Sequence, residues 1–185
     1  SGGEIKKIAL IRAFLKKSNI LILDEPETNL DDKSIKELVE NLKEIRWKQR
    51  FENFDKSYKL LNKYGLKTLS SDEDGYVDVY EGSAYKRDSS YHQGITWPWL
   101  LGWYYDALKN TMIIEKNRTK RQELEEKITK LVYTTKETFK AEMFERSSIG
   151  TISEIYDSTE PYEERGAFAQ AWSVAEIFRI VLNKR

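Results

Sequence analysis

The sequence predicts a mainly α-helical fold that is preceded by a small α/β segment, and three observations lead to this fold class. Apolar residues recur at helical spacing over residues 119–145 and again over residues 167–183. A short continuous apolar run at residues 19–23 ends in an acidic pair and a proline, as buried parallel strands do. The chain holds five Trp and eleven Tyr. Most of the Trp residues follow residue 96, where aromatic side chains either fill a helical core or stack on sugars or bases.

Composition excludes several classes of protein. Lys+Arg and Asp+Glu both number 31 among 185 residues, so the net charge is zero and no broad nucleic-acid-binding surface is expected. Cysteine is absent, which excludes disulfides and thiolate metal sites. No apolar run reaches the roughly eighteen residues of a membrane span, and no signal peptide opens the chain. We therefore expect a soluble, cytoplasmic protein of one ordinary domain or two small ones, without a metal site formed by this chain alone.

The first third of the chain combines helix and strand patterns. Residues 4–17 alternate apolar and basic side chains at helical spacing, and residues 19–23 form the expected strand. Asp31 or Asp32 can cap a further helix that starts at Lys33 and continues to about residue 61. This mixture predicts a small α/β unit at the beginning of the chain.

The remaining two thirds predict helices separated by loops. Residues 65–95 lack helical periodicity and predict a long loop with a short hairpin near residues 76–80; a second loop is expected at residues 147–164. Helices are expected at about residues 96–112, 119–145 and 167–183. The second of these presents one apolar face through Leu124, Ile128, Leu131, Thr135 and Phe139. The third presents Phe168, Trp172, Ala175, Phe178 and Leu182. We expect these helices to form a layered bundle, with residues 1–32 loosely attached.

The first group of motifs suits phosphate chemistry. A glycine-containing tetrapeptide, SGGE at residues 1–4, precedes a helix, whose N-terminal N–H groups can cradle a phosphate. Asp24 at the end of the predicted strand could hold Mg²⁺ through water, and Glu25 could polarise an attacking water.

The order of these motifs resembles the ABC-type ATPase family over about residues 1–45. SGGE is followed by Arg12-Ala13, by ILILDEP at residues 20–26 and by NLD at residues 29–31. The resemblance implies a Walker B carboxylate, a catalytic glutamate and a segment that binds the γ-phosphate. The nucleotide-binding residues would be Ser1, Gly2, Gly3, Asp24 and Glu25. Because the chain has no G-x-x-x-x-G-K-[ST] loop, we expect Mg-ATP to bind only if another chain completes the site. A start inside a motif also predicts a fragment or a truncated reading frame.

Four later segments resemble the amylo-α-1,6-glucosidase domain of glycogen debranching enzymes. They are YGLKTLS at residues 64–70, RDSSYHQGITWPWLLG at 87–102, ISEIYDS at 152–158 and GAFAQAWSVAEIFR at 166–179. The resemblance covers about residues 52–185, so we expect the boundary between the two domains near residues 45 and 46. It implies a partial (α/α)₆ barrel of the six-hairpin glycosidase type, with a site on the loops at one end and an α-glucan or limit dextrin as substrate.

The resemblance also assigns roles to individual residues. Glycoside hydrolysis generally takes two carboxyl groups, and in an inverting enzyme they stand about 6.5–9.5 Å apart to admit a water. Glu154 matches the general base of the family. The family's general acid is an Asp upstream of the YHQG segment, and no residue of this chain takes its place. Asp88 is not that acid; it pairs with Arg87 or binds a sugar hydroxyl. We therefore expect the chain alone to be inactive.

The substrate-binding residues implied by the resemblance are Arg87, Asp88, His92, Gln93, Trp97, Trp99, Gln170 and Trp172. For several of them a structural role is the alternative. A lone His before a helix is often a hydrogen-bonding group of the fold. Pro98 suits the first turn of a helix, so one flanking Trp would face the pocket and the other the core. Helix packing explains Gln170 and Trp172 equally well.

Three functions therefore compete. The first is a debranching-type α-1,6-glucosidase, which needs no cofactor. The second is an ABC-type ATPase fragment that binds ATP only with a partner. The third is a non-catalytic product of a fused or mis-assembled coding sequence, or an engineered chimera. Helix faces without barrel neighbours would expose apolar surface and favour self-association.

Overall fold

The computed structural model describes residues 30–37, 39, 59–146 and 149–182. The chain divides into two compact units, residues 1–58 and 59–185. In the first unit, residues 32–37 are helical. The carboxylate of Asp31 accepts hydrogen bonds from the Ser34 N–H at 2.9 Å and from the Ser34 hydroxyl. Asp31 is therefore the helix cap, one of the two candidates expected from the sequence. The predicted helix 4–17 and strand 19–23 lie outside the described residues.

Four helices are described in the second unit. They are α1 (Ala84–Ser90), α2 (Leu100–Ile114), α3 (Arg118–Glu145) and α4 (Ala171–Leu182). Helices α2, α3 and α4 each pack against the other two. None of the helices that the structure describes is both long enough and apolar enough to cross a membrane.

Helix α3 follows the sequence pattern closely. Its N-cap Asn117 accepts a hydrogen bond from the Lys120 N–H at 3.1 Å. All five residues of the predicted apolar face are buried, and Glu142 continues the same face one turn later. This prediction is confirmed because a helix of 28 residues repeats its spacing often enough to be unambiguous.

A small antiparallel sheet joins segments that are far apart in sequence. Its strands are β1 (Leu61–Asn62), β2 (Gly65–Lys67), β3 (Thr96–Trp97), β4 (Ile155–Tyr156) and β5 (Glu164–Arg165), paired in chain order. Leu66 pairs with Trp97, and Thr96 pairs with Tyr156. The sheet thus places β3, which follows α1, directly beside β4.

Aromatic side chains form the part of the core that lies between this sheet and α3. Tyr156 is fully buried, and its ring stacks on Tyr64 with centroids 4.5 Å apart. Tyr64 also meets the buried ring of Phe139 of α3 edge-on at 6.0 Å. Burying a side chain of this size stabilises a fold by roughly 1.5–3 kcal/mol. These rings therefore hold the strands firmly on the helix layer.

Two predictions within residues 65–95 are wrong. Residues 76–80 do not form a hairpin; the hairpin consists of β1 and β2 instead. Residues 84–90, predicted as loop, form α1, whose N-cap Ser83 accepts a hydrogen bond from the Lys86 N–H. In α1 only Ser90 is buried, so the helix needs no apolar face and shows no periodicity in the sequence.

The other helix boundaries also require correction. Helix α2 begins at Leu100 instead of 96, because Thr96 and Trp97 belong to β3. The predicted loop 147–164 contains β4 and the start of β5.

The last helix begins at residue 171 rather than 167, and its predicted apolar face is wrong. Trp172 and Phe178 are 48% and 42% exposed, whereas Ser173, Ile177 and Ile180 are buried. Large apolar side chains are common on protein surfaces, so size alone did not identify the buried face.

Candidate active site

The carboxylate of Glu154 is held by the β4–β5 hairpin. The backbone N–H of Glu154 donates to the Ala167 carbonyl at 2.8 Å, and the Ala167 N–H donates to Glu154 Oε2 at 3.0 Å. Gly166 lies against the same oxygen: a Cβ at this position would stand 2.3 Å from Oε2, and its φ of +68° is one that glycine favours. The chain therefore turns directly over the carboxylate.

The second carboxylate oxygen is bound by Tyr91, the residue that ends α1. The Tyr91 hydroxyl donates to Glu154 Oε1 at 2.5 Å. Burial, followed by the hydrogen bond to Glu154, raises the pKa of Tyr91 above its ordinary value. The phenol therefore remains a protonated donor at neutral pH, and each oxygen of Glu154 accepts one hydrogen bond from the protein.

His92 and Trp97 lie beside Tyr91. The Trp97 indole Nε1 donates to the Tyr91 carbonyl at 3.3 Å, and the two rings meet edge-on at 4.7 Å. His92 is exposed and stacks on Trp97 with 7° between the ring planes. Trp97 itself is buried, at 5% exposure, and faces the core. His92 is therefore the outer surface of this aromatic group.

Trp99 belongs to a separate aromatic group. Trp99 is half-buried and contacts Trp103 edge-on at 5.5 Å and Trp172 at 6.0 Å. Trp103 is 53% exposed. Sequence reasoning overlooked Trp103, although its position four residues after Trp99 near the start of α2 indicates that the two share a helix face. Trp99, Trp103 and Trp172 together form an exposed aromatic surface.

The remaining predicted substrate residues lie on the surface or are half-buried. Arg87 and Asp88 are exposed on α1, and Arg87 Nη1 donates to the Gly82 carbonyl at 2.5 Å. Gln93 is exposed, whereas Gln170 is half-buried, and the Gln170 N–H donates to the Ile152 carbonyl at 2.9 Å. The nucleotide-binding candidates Ser1, Gly2, Gly3, Asp24 and Glu25 lie outside the described residues.

Asp157 fixes the hairpin that holds Glu154. It is 3% exposed and accepts hydrogen bonds from Arg165 at 3.0 and 2.8 Å. Its other oxygen accepts from the Tyr80 N–H at 2.8 Å. A buried carboxylate with these partners serves the structure of the hairpin and is not available to a substrate.

A second buried carboxyl group lies beneath the sheet. Glu142 of α3 is 4% exposed and accepts a hydrogen bond from the Tyr156 hydroxyl at 2.8 Å. Arg146 Nε lies 3.5 Å from Glu142 and 3.0 Å from Glu164 of β5, and Arg146 also donates to the Tyr64 hydroxyl at 2.8 Å. Burial, together with a hydrogen bond to Glu164, raises the pKa of Glu142 to about 7. The carboxyl group of Glu142 therefore keeps its proton at mildly acidic pH.

We predict that this proton links stability to pH. Because the pKa of Glu142 is higher in the folded state than its ordinary value of 4.5, the folded state binds the extra proton between pH 4.5 and 7. The free energy of unfolding should fall by up to about 3 kcal/mol as the pH rises through this interval. Glu142→Gln keeps an acceptor for Tyr156 and a donor for Glu164. The free energy of unfolding of this variant should therefore not fall over this pH interval.

Urea unfolding of both proteins at pH 5 and pH 8 tests the prediction. The free energy of unfolding of the variant should equal that of the unchanged chain at pH 5 and should be larger at pH 8. A stability difference that is the same at both values would contradict it.

One protein family model matches most of this chain. The family model described as amylo-alpha-1,6-glucosidase matches residues 38–179. The chain belongs to the amylo-alpha-1,6-glucosidase family. The match contains Glu154, Tyr91 and all eight predicted substrate-binding residues. The resemblance stated from the sequence is therefore confirmed at the level of the family.

Beside this amylo-alpha-1,6-glucosidase match, a short segment is similar to ATP-binding proteins. The chain is 52% identical over 42 residues to the ATP-binding protein Uup of Buchnera aphidicola subsp. Schizaphis graminum, covering 23% of this chain and 7% of Uup. It is 46% identical over 46 residues to the spermidine/putrescine import ATP-binding protein PotA of Aster yellows witches'-broom phytoplasma, 25% and 11% of the two chains. An ATP-binding protein assigned to an ABC transporter in Treponema denticola is 48% identical over 46 residues, 25% and 9%.

These relatives confirm the second resemblance, and this chain spans a small fraction of their lengths. No solved structure matches the chain. The chain thus combines an amylo-alpha-1,6-glucosidase match with about 46 residues that are similar to ABC-type ATP-binding proteins.

Proposed function

We propose that the chain carries the general-base part of an inverting glucosidase site that acts on α-1,6 branch points of a glucan. Glu154 is the base. The observation that supports it most is the placement of the Glu154 carboxylate between two hydrogen-bond donors, within the segment that matches the amylo-alpha-1,6-glucosidase family.

The geometry suits the activation of water. An ionised carboxylate has about four lone-pair positions, and the protein occupies one on each oxygen of Glu154. The remaining positions can accept a hydrogen bond from water and then its proton, which is the role of a general base. Hydrolysis between two carboxyl groups needs only water, so we propose no cofactor.

We assign no general acid to the described residues. Glu142 has the raised pKa that such an acid needs, but it is enclosed by Tyr156 and Arg146. Asp157 is bound by Arg165. Neither of these two carboxyl groups can reach a glycosidic oxygen, and no residue of this chain matches the acid of the family, so we propose that a separate chain supplies the acid.

The proposed substrate surface combines polar and aromatic side chains. His92 and Gln93 are exposed beside Tyr91 and would hydrogen-bond glucose hydroxyls, with Arg87 and Asp88 of α1 as further polar contacts. Trp99 would stack on a sugar ring. Gln170 and Trp172 would extend the same surface at the start of α4. We propose that α2–α4 are part of an (α/α)₆ barrel and that the glucan is a limit dextrin encountered in the cytoplasm.

Hydrolysis of α-D-glucosyl fluoride tests the proposal. Fluoride departs with little help from a general acid, so a site that holds only its base should hydrolyse this substrate while releasing no glucose from a limit dextrin. Inversion predicts β-glucose as the first product, visible by proton NMR before mutarotation. A folded chain that leaves the fluoride intact, or yields α-glucose first, would overturn the proposal.

A second candidate function is nucleotide binding, which the similarity to ATP-binding proteins favours. The proposed residues are Ser1, Gly2, Gly3, Asp24 and Glu25, completed by a partner chain. Mg-ATP should then raise the unfolding temperature of the chain when that partner is present, and Asp24→Asn should abolish the effect. An unfolding temperature that does not respond to Mg-ATP would argue against it.

A further inference from the structure

We propose that Tyr91 is a positioning residue that orients the Glu154 carboxylate toward the attacking water. The inference rests on the proposed function of Glu154 and adds to it a side chain to which the sequence assigned no role. Tyr91 and Glu154 are 63 residues apart in sequence, and the hydroxyl of one reaches Oε1 of the other at 2.5 Å.

Tyr91 is fixed before any substrate arrives. It follows the end of α1, its carbonyl accepts a hydrogen bond from the buried Trp97 indole, and its ring lies edge-on against Trp97. Trp97 belongs to β3, and the other residue of this strand, Thr96, pairs with Tyr156 of β4. Tyr91 packs on β3, and Glu154 directly precedes β4, so the pairing of these two strands brings the phenol and the carboxylate together.

The other oxygen of the Glu154 carboxylate is also held by the protein. The Ala167 N–H donates to Oε2 at 3.0 Å, and Gly166 approaches so closely that no Cβ would fit. The terminal torsion of a glutamate is broad, so a carboxylate without such partners samples many orientations. With one donor on each oxygen, this torsion is restricted and the free lone pairs point in one direction.

Orientation of this kind matters for a base. A water must lie within hydrogen-bond reach of the carboxylate and in line with the anomeric carbon. A misplacement of about 1 Å can cost about 10²-fold in rate. The Tyr91 hydroxyl touches Glu154 and not the reacting atoms, so its effect on catalysis acts through the carboxylate.

Tyr91→Phe separates this role from ring packing, because phenylalanine keeps the contact with Trp97. On α-D-glucosyl fluoride, kcat should fall by about 10- to 100-fold with KM changed by less than about threefold. The control is Tyr133→Phe, which removes the same group from a side chain that is 67% exposed on α3; it should leave both constants unchanged. Equal kcat values for Tyr91→Phe and Tyr133→Phe, measured on folded protein, would overturn the inference.

A second measurement does not depend on turnover. In protein labelled with ¹³Cζ-tyrosine, the Tyr91 signal is identified by its loss in Tyr91→Phe. Glu154→Gln removes the negative charge beside the phenol, so Tyr91 should begin to ionise at a lower pH than in the unchanged chain. An unchanged titration would reject the contact between the two side chains and the inference with it. A shifted titration in a chain that leaves the fluoride intact would support the positioning contact and reject the proposed function.

Discussion

Replacing Glu154 by glutamine is expected to lower the rate of α-D-glucosyl fluoride hydrolysis by about 10³-fold. General-base catalysis contributes about 10² to 10⁴ to the rate, and an amide cannot accept the proton of the attacking water. The amide oxygen of glutamine can still accept from Tyr91, but its NH₂ group faces the donating Ala167 N–H. We therefore expect a small loss of stability and a large loss of turnover, measured by fluoride release.

The matched control for this substitution is Glu163→Gln. Glu163 is exposed on the same hairpin, so its replacement removes one carboxylate near the site without touching Glu154. Its rate should equal that of the unchanged chain. If Glu154→Gln and Glu163→Gln hydrolyse the fluoride equally fast, Glu154 is not the base.

Replacing Gly94 by alanine is expected to reduce the free energy of unfolding by about 3 kcal/mol or more. Gly94 has a φ of +133°, and a Cβ there would stand 2.4 Å from the Val77 carbonyl oxygen and 2.6 Å from the Tyr76 ring. The Gly94 N–H donates to the Thr68 hydroxyl at 3.0 Å, and its carbonyl accepts from Ser158 at 2.5 Å. Alanine would therefore add both backbone strain and a collision with a fixed carbonyl.

Gly150→Ala is the control that separates the two causes. Gly150 has a φ of +84°, but nothing lies within 4 Å of the position of an added Cβ. The free energy of unfolding should then fall only by the cost of backbone strain, about 1 kcal/mol. Urea unfolding gives both values. Equal losses in the two variants would show that the crowding around Gly94 contributes nothing.

The Gly94 variant should also disturb the candidate site. Gly94 lies between Tyr91 and Trp97, and shifting this segment would move the Tyr91 hydroxyl away from Glu154. We expect fluoride hydrolysis by the folded fraction of Gly94→Ala to fall as well. Hydrolysis that stays normal in the folded fraction would indicate that the segment adjusts without moving Tyr91.

Some parts of this structure could be predicted from the sequence, and others could not. Sequence reasoning placed α3 correctly because a long helix that packs on one face repeats every three to four residues. It limited the helix cap to Asp31 or Asp32 because a capping interaction spans about three residues, and the structure shows that Asp31 is the cap. Glu154 was selected by resemblance to a family, and its role as the base stays a prediction.

Other features could not be predicted because their determinants are not local. The strands contain two or three residues each, too few to show a period of two. Helix α1 is exposed on nearly every side, so no apolar pattern marks it. The burial of Trp97 and the partial exposure of Trp99 depend on which face of the backbone meets the core.

The sequence alone determined the family, the helical character and the approximate positions of the long helices. The helices follow from residues within a few positions of one another, and the family follows from the order and spacing of four motifs along the chain. Only the tertiary structure decided that β3 pairs with β4, that Tyr91 binds Glu154 and that Glu142 lies beside Glu164. Each of these contacts joins residues that are far apart in the chain. Such contacts form only when the path of the backbone has brought their segments together, and no local pattern records that path.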